Sequence, residues 1–318
     1  MTEKHMDSKK ASYIGIALIA CFVMLFIGPS TQHSTENKAS IYPLQNSATD
    51  WVPPDGYVSR RYTLSHSAIE FLDAPGMHGR RVIYYIHGGG YVGGIGDMTR
   101  ELTVRYSQAA QYADVAMIDY RTSPYAMFTD ARDDALHGYQ FLLDKGYSPD
   151  NIVFFADSAG GHLALSILME LRDKKQKLPS RVVLFSPLVD TRASGESYTT
   201  NRNKDKGFRD LFDRNQGFDI SPIFPKNFVT SAMRDDPMFA LERANYAGLP
   251  PIYIQVGGDE MMRSDGEFVY KKTIEAGGVA KVSIYPGELH VFHLVGQGSA
   301  TQIEKAWRDL RAYLGGHQ

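Results

Sequence analysis

The chain has 318 residues, enough for one large α/β domain with insertions or for two small domains. Hydrophobic residues make up 43% and charged residues 22%, which supports a sizeable globular core, and a net charge of −2 without any basic stripe speaks against a nucleic-acid partner. A single cysteine, Cys21, excludes a disulfide framework, and in the soluble part it excludes a cysteine-based metal site or a cysteine nucleophile.

Residues 11–28 run without a charge, behind Lys9 and Lys10. That length spans a bilayer, and the flanking lysines favour an N-terminus inside and a C-terminus outside. Three readings are open. The run is an uncleaved signal anchor, a signal peptide removed by a general peptidase (no clear A-x-A site follows it), or a lipoprotein signal. For the last, Leu18-Ile19-Ala20-Cys21 is similar to the bacterial lipobox. Residues 22–27 continue apolar where lipoproteins turn polar, so we read Cys21 as one more apolar residue of a spanning helix. All three readings make a membrane a partner of the N-terminal segment, or at least of its export, and put the rest of the chain outside the cytoplasm. Residues 31–56 are polar and mixed, and read as a tether leading into part of a cap.

Strand-like and helix-like runs then alternate through residues 57–318. Residues 57–64 and 68–72 form an expected antiparallel pair, and 81–86 (RVIYYI) a buried strand followed by a helix. Further strands are expected at 115–119, 151–156, 181–185, 251–256 and 281–285. Helices are expected at 131–143, 160–171, 265–276 and 302–314. This order predicts an α/β fold with a mainly parallel sheet covered on both faces. One stretch breaks the alternation. Residues 192–245 are charged and poor in strand signals, and read as a helical cap inserted between two strands, with a surface-decorating insertion as the alternative.

Two motifs carry chemistry. Ala156-Asp157-Ser158-Ala159-Gly160 closes one expected strand and opens a helix, the setting of a nucleophile elbow usually written G-x-S-x-G. Such a turn lifts a serine Oγ above the sheet and needs small neighbours, because the backbone passes close to itself. Ala156 departs from the pattern by one methyl group. His87-Gly88-Gly89-Gly90-Tyr91 follows the RVIYYI strand, and its successive backbone N–H groups can point at one oxygen. Gly88 and Gly89, joined by the amide of Ala159, are the expected oxyanion-hole donors. A phosphate loop would need G-x-G-x-x-G or G-x-x-x-x-G-K-[ST], and neither is present. His87 is read as a hydrogen-bonder that shapes the loop.

With both motifs in view, the chain from about residue 81 onward resembles the hormone-sensitive-lipase-like branch of the α/β-hydrolases, specifically its bacterial carboxylesterases. HGGGY, Asp119-Tyr120-Arg121, ADSAGGHLAL, Ser186-Pro187 with Asp190, Asp236-Pro237, VGGDE and His290-Val291-Phe292 carry the resemblance. It implies an eight-stranded, mostly parallel sheet with a helical cap, no cofactor or metal, and hydrolysis of short- to medium-chain carboxylic esters, with lactones also open. It also implies the chain order Ser, acid, His, which assigns His290 as general base to Ser158. Two neighbouring carboxylates compete for the acid. Glu260 has Met262 and Asp265 in the family register, so the resemblance favours Glu260 and keeps Asp259 in reserve. His293 could form a His-x-x-His metal pair with His290, but no carboxylate motif supports that. An inactive member serving as a small-molecule binding module is the alternative, and such proteins typically lose the serine or histidine present here. A peptidase on this fold would need room for a propeller domain.

Overall fold

The structure is a computed structural model that describes residues 51–76, 81–214, 224–225 and 227–315, all within the unit Gln45–Gln318. The apolar run at 11–28, Cys21 and most of the tether lie outside the described residues. Among the described residues no helix is long and apolar enough to cross a membrane.

Eight strands form one sheet in the order β1-β2-β4-β3-β5-β6-β7-β8. Strands β1 (Val58–Thr63) and β2 (Ala68–Asp73) pair antiparallel, and β2 also runs antiparallel to β4 (Asp114–Asp119). From there to the far edge every pairing is parallel, through β3 (Val82–Ile86), β5 (Ile152–Asp157), β6 (Arg181–Phe185), β7 (Ile252–Gly257) and β8 (Ala280–Tyr285). The helices between them are α1 (Asp97–Ala109), α2 (Phe128–Asp144), α3 (Ala159–Asp173), α4 (Glu196–Thr200), α5 (Lys206–Arg214), α6 (Arg263–Glu275) and α7 (Ala300–Gly315).

The central strands are buried along their length because helices cover both faces, which is why they read as unbroken apolar runs. Alternation still sorts their side chains. Val82, Tyr84 and Ile86 face one core with Phe154 and Leu184, where Leu142 of α2, Leu163 and Ile167 of α3 and Val269 of α6 pack. Ile83 and Tyr85 face the other, with Phe155, Phe185, Tyr106 of α1 and Trp307 of α7. The edge strands β1 and β8 are mostly exposed or half-buried.

The chain between β6 and β7 contains α4, α5 and two single 3-10 turns at Ser231–Met233 and Leu241–Arg243. No strand occurs among its described residues. The ends of β3, β5, β7 and β8 converge, so the loops carrying His87 to Tyr91, Ser158, Glu260 and His290 all emerge at the carboxyl edge of the parallel strands.

Candidate active site

Ser158 stands between β5 and α3 with φ 51° and ψ −123°, a left-handed conformation that a serine adopts only under constraint. Neighbouring segments supply that constraint. The Ser158 amide donates to the Phe185 carbonyl at 3.0 Å, and the Ser158 carbonyl accepts from the Leu188 amide at 3.0 Å. Gly160 shows why the turn needs small residues: a Cβ there would lie 2.1 Å from the Ile86 carbonyl oxygen, a backbone atom that cannot swing away. Ala156 is fully buried within β5, where its methyl group is accommodated beside Ile86 and Leu184.

The structure brings the serine to the expected histidine. Ser158 Oγ and His290 Nε2 are 3.0 Å apart, which suits an O–H donating to a neutral imidazole. On the far side of the ring, His290 Nδ1 lies 3.7 Å from Glu260 Oε2, longer than a hydrogen bond but close enough for an ion pair once the ring is protonated. Glu260 is fully buried, and the same Oε2 accepts the Ser186 hydroxyl at 2.7 Å. Ser186 Oγ accepts in turn from the Val291 amide at 3.1 Å, so one hydroxyl ties the carboxylate to the histidine loop. Burial works to lower the His290 pKa, but Glu260, Asp205 and Asp157 outweigh it and hold the ring above the ordinary histidine value. Asp259 turns elsewhere and pairs with Lys204 at 2.8 Å.

The glycine loop corrects one expectation. The Gly88 amide is taken: it donates to Asp157 Oδ1 at 3.0 Å, alongside the Tyr85 hydroxyl at 2.7 Å. Asp157 is a desolvated carboxylate whose pKa burial pushes up, and it needs these donors. Gly88 therefore cannot serve as an oxyanion donor. The following amides, Gly89 and Gly90, donate to no acceptor among the described residues, and both glycines have positive φ (102° and 62°). The Ala159 amide is the first of helix α3, where no intrahelical acceptor exists and the helix dipole favours negative charge.

His87 is buried, with Nδ1 donating to the Gly88 carbonyl at 2.8 Å and its ring stacked on Tyr120 at 4.3 Å. His293 packs among Phe185, Phe292 and Trp307, and burial lowers its pKa to about 3. Among the described residues no group of three or more His, Cys, Asp or Glu side chains is placed to hold a metal ion. Above the histidine, the Phe208 ring of α5 lies 5.0 Å from the His290 ring. Sequence reasoning missed Ser186, Ser197, Asn201 and Asp205 as site residues. A hint existed in the four-residue spacing of Ser197, Asn201 and Asp205 within a charged stretch.

Comparison with known proteins agrees with this architecture. A family model described as the alpha/beta hydrolase fold matches residues 83–294, and the chain belongs to that family. The carboxylesterase/phospholipase LipF of Mycobacterium tuberculosis is 30% identical over 82% of this chain and 69% of that protein. An acetyl-hydrolase of Streptomyces hygroscopicus is 30% identical over 76% of each. Among solved structures, an esterase/lipase from an uncultured bacterium superposes with a TM-score of 0.71 at 25% identity, covering 94% of this chain and 96% of that one. An esterase of the bacterial hormone-sensitive lipase family shares the fold with a TM-score of 0.73 at 24% identity, covering 98% of each chain. With relatives named carboxylesterase and acetyl-hydrolase, the chain is a carboxylic ester hydrolase.

Proposed function

We propose that the chain hydrolyses short- to medium-chain carboxylic esters through a Ser158–His290–Glu260 triad, with the amides of Gly89, Gly90 and Ala159 as the oxyanion hole. The observation that carries this reading is the 3.0 Å contact between Ser158 Oγ and His290 Nε2 on a strained elbow. His290 Nε2 takes the hydroxyl proton as Oγ attacks the ester carbonyl, and the oxygen that becomes negative is held by the backbone amides. The imidazolium then gives that proton to the departing alcohol oxygen. A water molecule repeats the sequence on the acyl-enzyme, returning Ser158 and releasing the acid. Throughout, Glu260 keeps the second ring proton on Nδ1 and stabilises the cation. The relative named acetyl-hydrolase supports a short acyl group, and lactones fit the same chemistry.

The experiment is a fluorophosphonate label together with a p-nitrophenyl ester series of increasing acyl length. The expected result is labelling of Ser158, loss of both labelling and turnover in Ser158→Ala, and fastest turnover at the short end. A folded Ser158→Ala variant that still turns over at the parent rate would overturn the assignment. The apolar run at 11–28 supports a membrane-anchored or exported enzyme with its catalytic part outside the cytoplasm, and the helices of the 192–245 stretch support a cap over the site.

A further inference from the structure

Three buried polar residues of the insertion touch no reacting atom of the triad. Ser197, Asn201 and Asp205 are 0%, 2% and 4% exposed. They follow one another at four-residue spacing, and the backbone between them keeps helical bonding, from the Asn201 amide to the Ser197 carbonyl at 3.0 Å and from Asp205 to Asn201 at 2.9 Å. They therefore stack on one face. Polar groups so deeply buried are costly unless they are hydrogen-bonded. Each finds its partner on the loop that carries Glu260.

Asn201 Nδ2 donates to the carbonyls of Gly258 at 3.0 Å and of Glu260 itself at 2.9 Å. Asp205 Oδ2 accepts from the Met261 amide at 3.0 Å, and its other oxygen accepts from the Phe208 amide in the first turn of α5 at 3.2 Å. Ser197 Oγ donates to the Met261 carbonyl at 2.6 Å and accepts from the Ser264 amide at 2.9 Å. The peptide groups that follow Gly258, Glu260 and Met261 are thus gripped by one face of the insertion. The grip has a consequence for the carboxylate. Glu260 reaches His290 on a long side chain whose Oε1 has no hydrogen-bond partner among the described residues, so a small displacement of its backbone moves the carboxylate. Asp205 also fixes the start of α5, whose Phe208 ring lies against His290.

We infer that Asn201 and Asp205 are positioning residues that hold the Glu260 backbone where its carboxylate meets His290, so that the insertion covering the site is also what aligns the catalytic acid. The inference rests on the triad reading above. It assigns the cap segment a share in the rate as well as in the shape of the site.

The test is a double-mutant cycle of Asn201→Ala with Glu260→Gln. Asn201→Ala changes no charge, so a shift in the pH profile reports geometry. The expected result is a kcat lower by ~10- to 100-fold with KM little changed, the effect of a small misplacement. The kinetic ionisation should also move to lower pH. Of the groups that set the His290 ionisation, Glu260, Asp205 and Asp157 raise it and burial lowers it, and the Glu260 contribution is the one weakened. In the Glu260→Gln background Asn201→Ala should add little, because a positioning residue has nothing left to position. Equal losses in both backgrounds, or an unchanged kcat and pH profile, would overturn the inference. If Asn201→Ala does not fold, Asp205→Asn, which keeps its volume and one acceptor oxygen, takes its place in the cycle and is judged on additivity alone. If Glu260→Gln by itself costs nothing, the triad reading falls and the clamp with it. If Glu260→Gln is costly and Asn201→Ala silent, only the clamp falls.

Discussion

At the end of β7 two adjacent carboxylates occupy different environments, and the difference decides what each can do. Asp259 is partly exposed and engaged with Lys204, a surface pair that contributes little. Glu260 is buried, faces His290 Nδ1 and accepts the Ser186 hydroxyl. Glu260→Gln should therefore lower kcat/KM by ~100-fold or more, on the scale of a lost triad carboxylate. Asp259→Asn should stay within about twofold, as expected for a surface ion pair. Steady-state kinetics of the two variants checks this, and a larger loss at Asp259 would reverse the assignment. The histidine carries a pH prediction as well. Only neutral imidazole accepts the serine proton, and the acidic surroundings hold His290 above its ordinary value. Activity should accordingly rise with pH through one ionisation whose midpoint lies above ~6.5, then reach a plateau. A midpoint below that value would contradict the electrostatics described here. A chelator should leave the rate unchanged, since no step of the triad uses a metal.

Among the elements, α6 carries a second buried carboxylate with a different role. Asp265 is 1% exposed, and one of its oxygens accepts from the amides of Val189 (2.7 Å) and Asp190 (2.9 Å) and from the Tyr198 hydroxyl (3.3 Å). It thereby ties α6 to the loop after β6 and to α4. Burial raises its pKa to about 7, well above the unfolded value of ~3.9. A folded-state pKa above the unfolded one means that the native state holds the proton longer. The resulting stability is fully present below ~pH 4 and is lost as pH rises through about 7. Asp265→Asn keeps the accepting oxygen and cannot titrate. Its Tm should gain on the parent by roughly a few degrees between pH 4 and pH 8, measurable by calorimetry. A gap that stays constant with pH would mean the carboxyl is ionised throughout. The legible elements were those whose side chains bury an apolar pattern. All eight strands were expected within about a residue of their ends, the central parallel ones because they must be apolar on both faces. Helices α4 and α5 were not individually expected. The inward face of the 197–205 segment is polar apart from Tyr198, so no apolar periodicity marks α4, whereas α5 is short and its apolar spacing rests on Phe208, Leu211 and Phe212 alone.

For the whole molecule, the proposed placement at a membrane depends on residues 11–28. Full-length enzyme should be recovered with the membrane fraction, and external protease should remove the catalytic part from intact cells. Full-length enzyme in the cytosol would end that proposal. The alternation of strands and helices, the elbow at Ser158 and the loop position of His290 were all determined by the sequence alone. Each depends on local pattern: apolar runs, small residues at a turn, and chain order. Only the tertiary structure decided which amides remain free for an oxyanion, because Gly88 is occupied by Asp157, a residue 69 positions away. The two carboxylates part in the same way. Asp259 and Glu260 are neighbours in the chain, yet Asp259 pairs with Lys204 while the Glu260 carboxylate accepts the Ser186 hydroxyl and its backbone carbonyl accepts the Asn201 side-chain amide. Such contacts join segments distant in sequence through single hydrogen bonds, and a hydrogen bond leaves no periodicity in the chain that makes it.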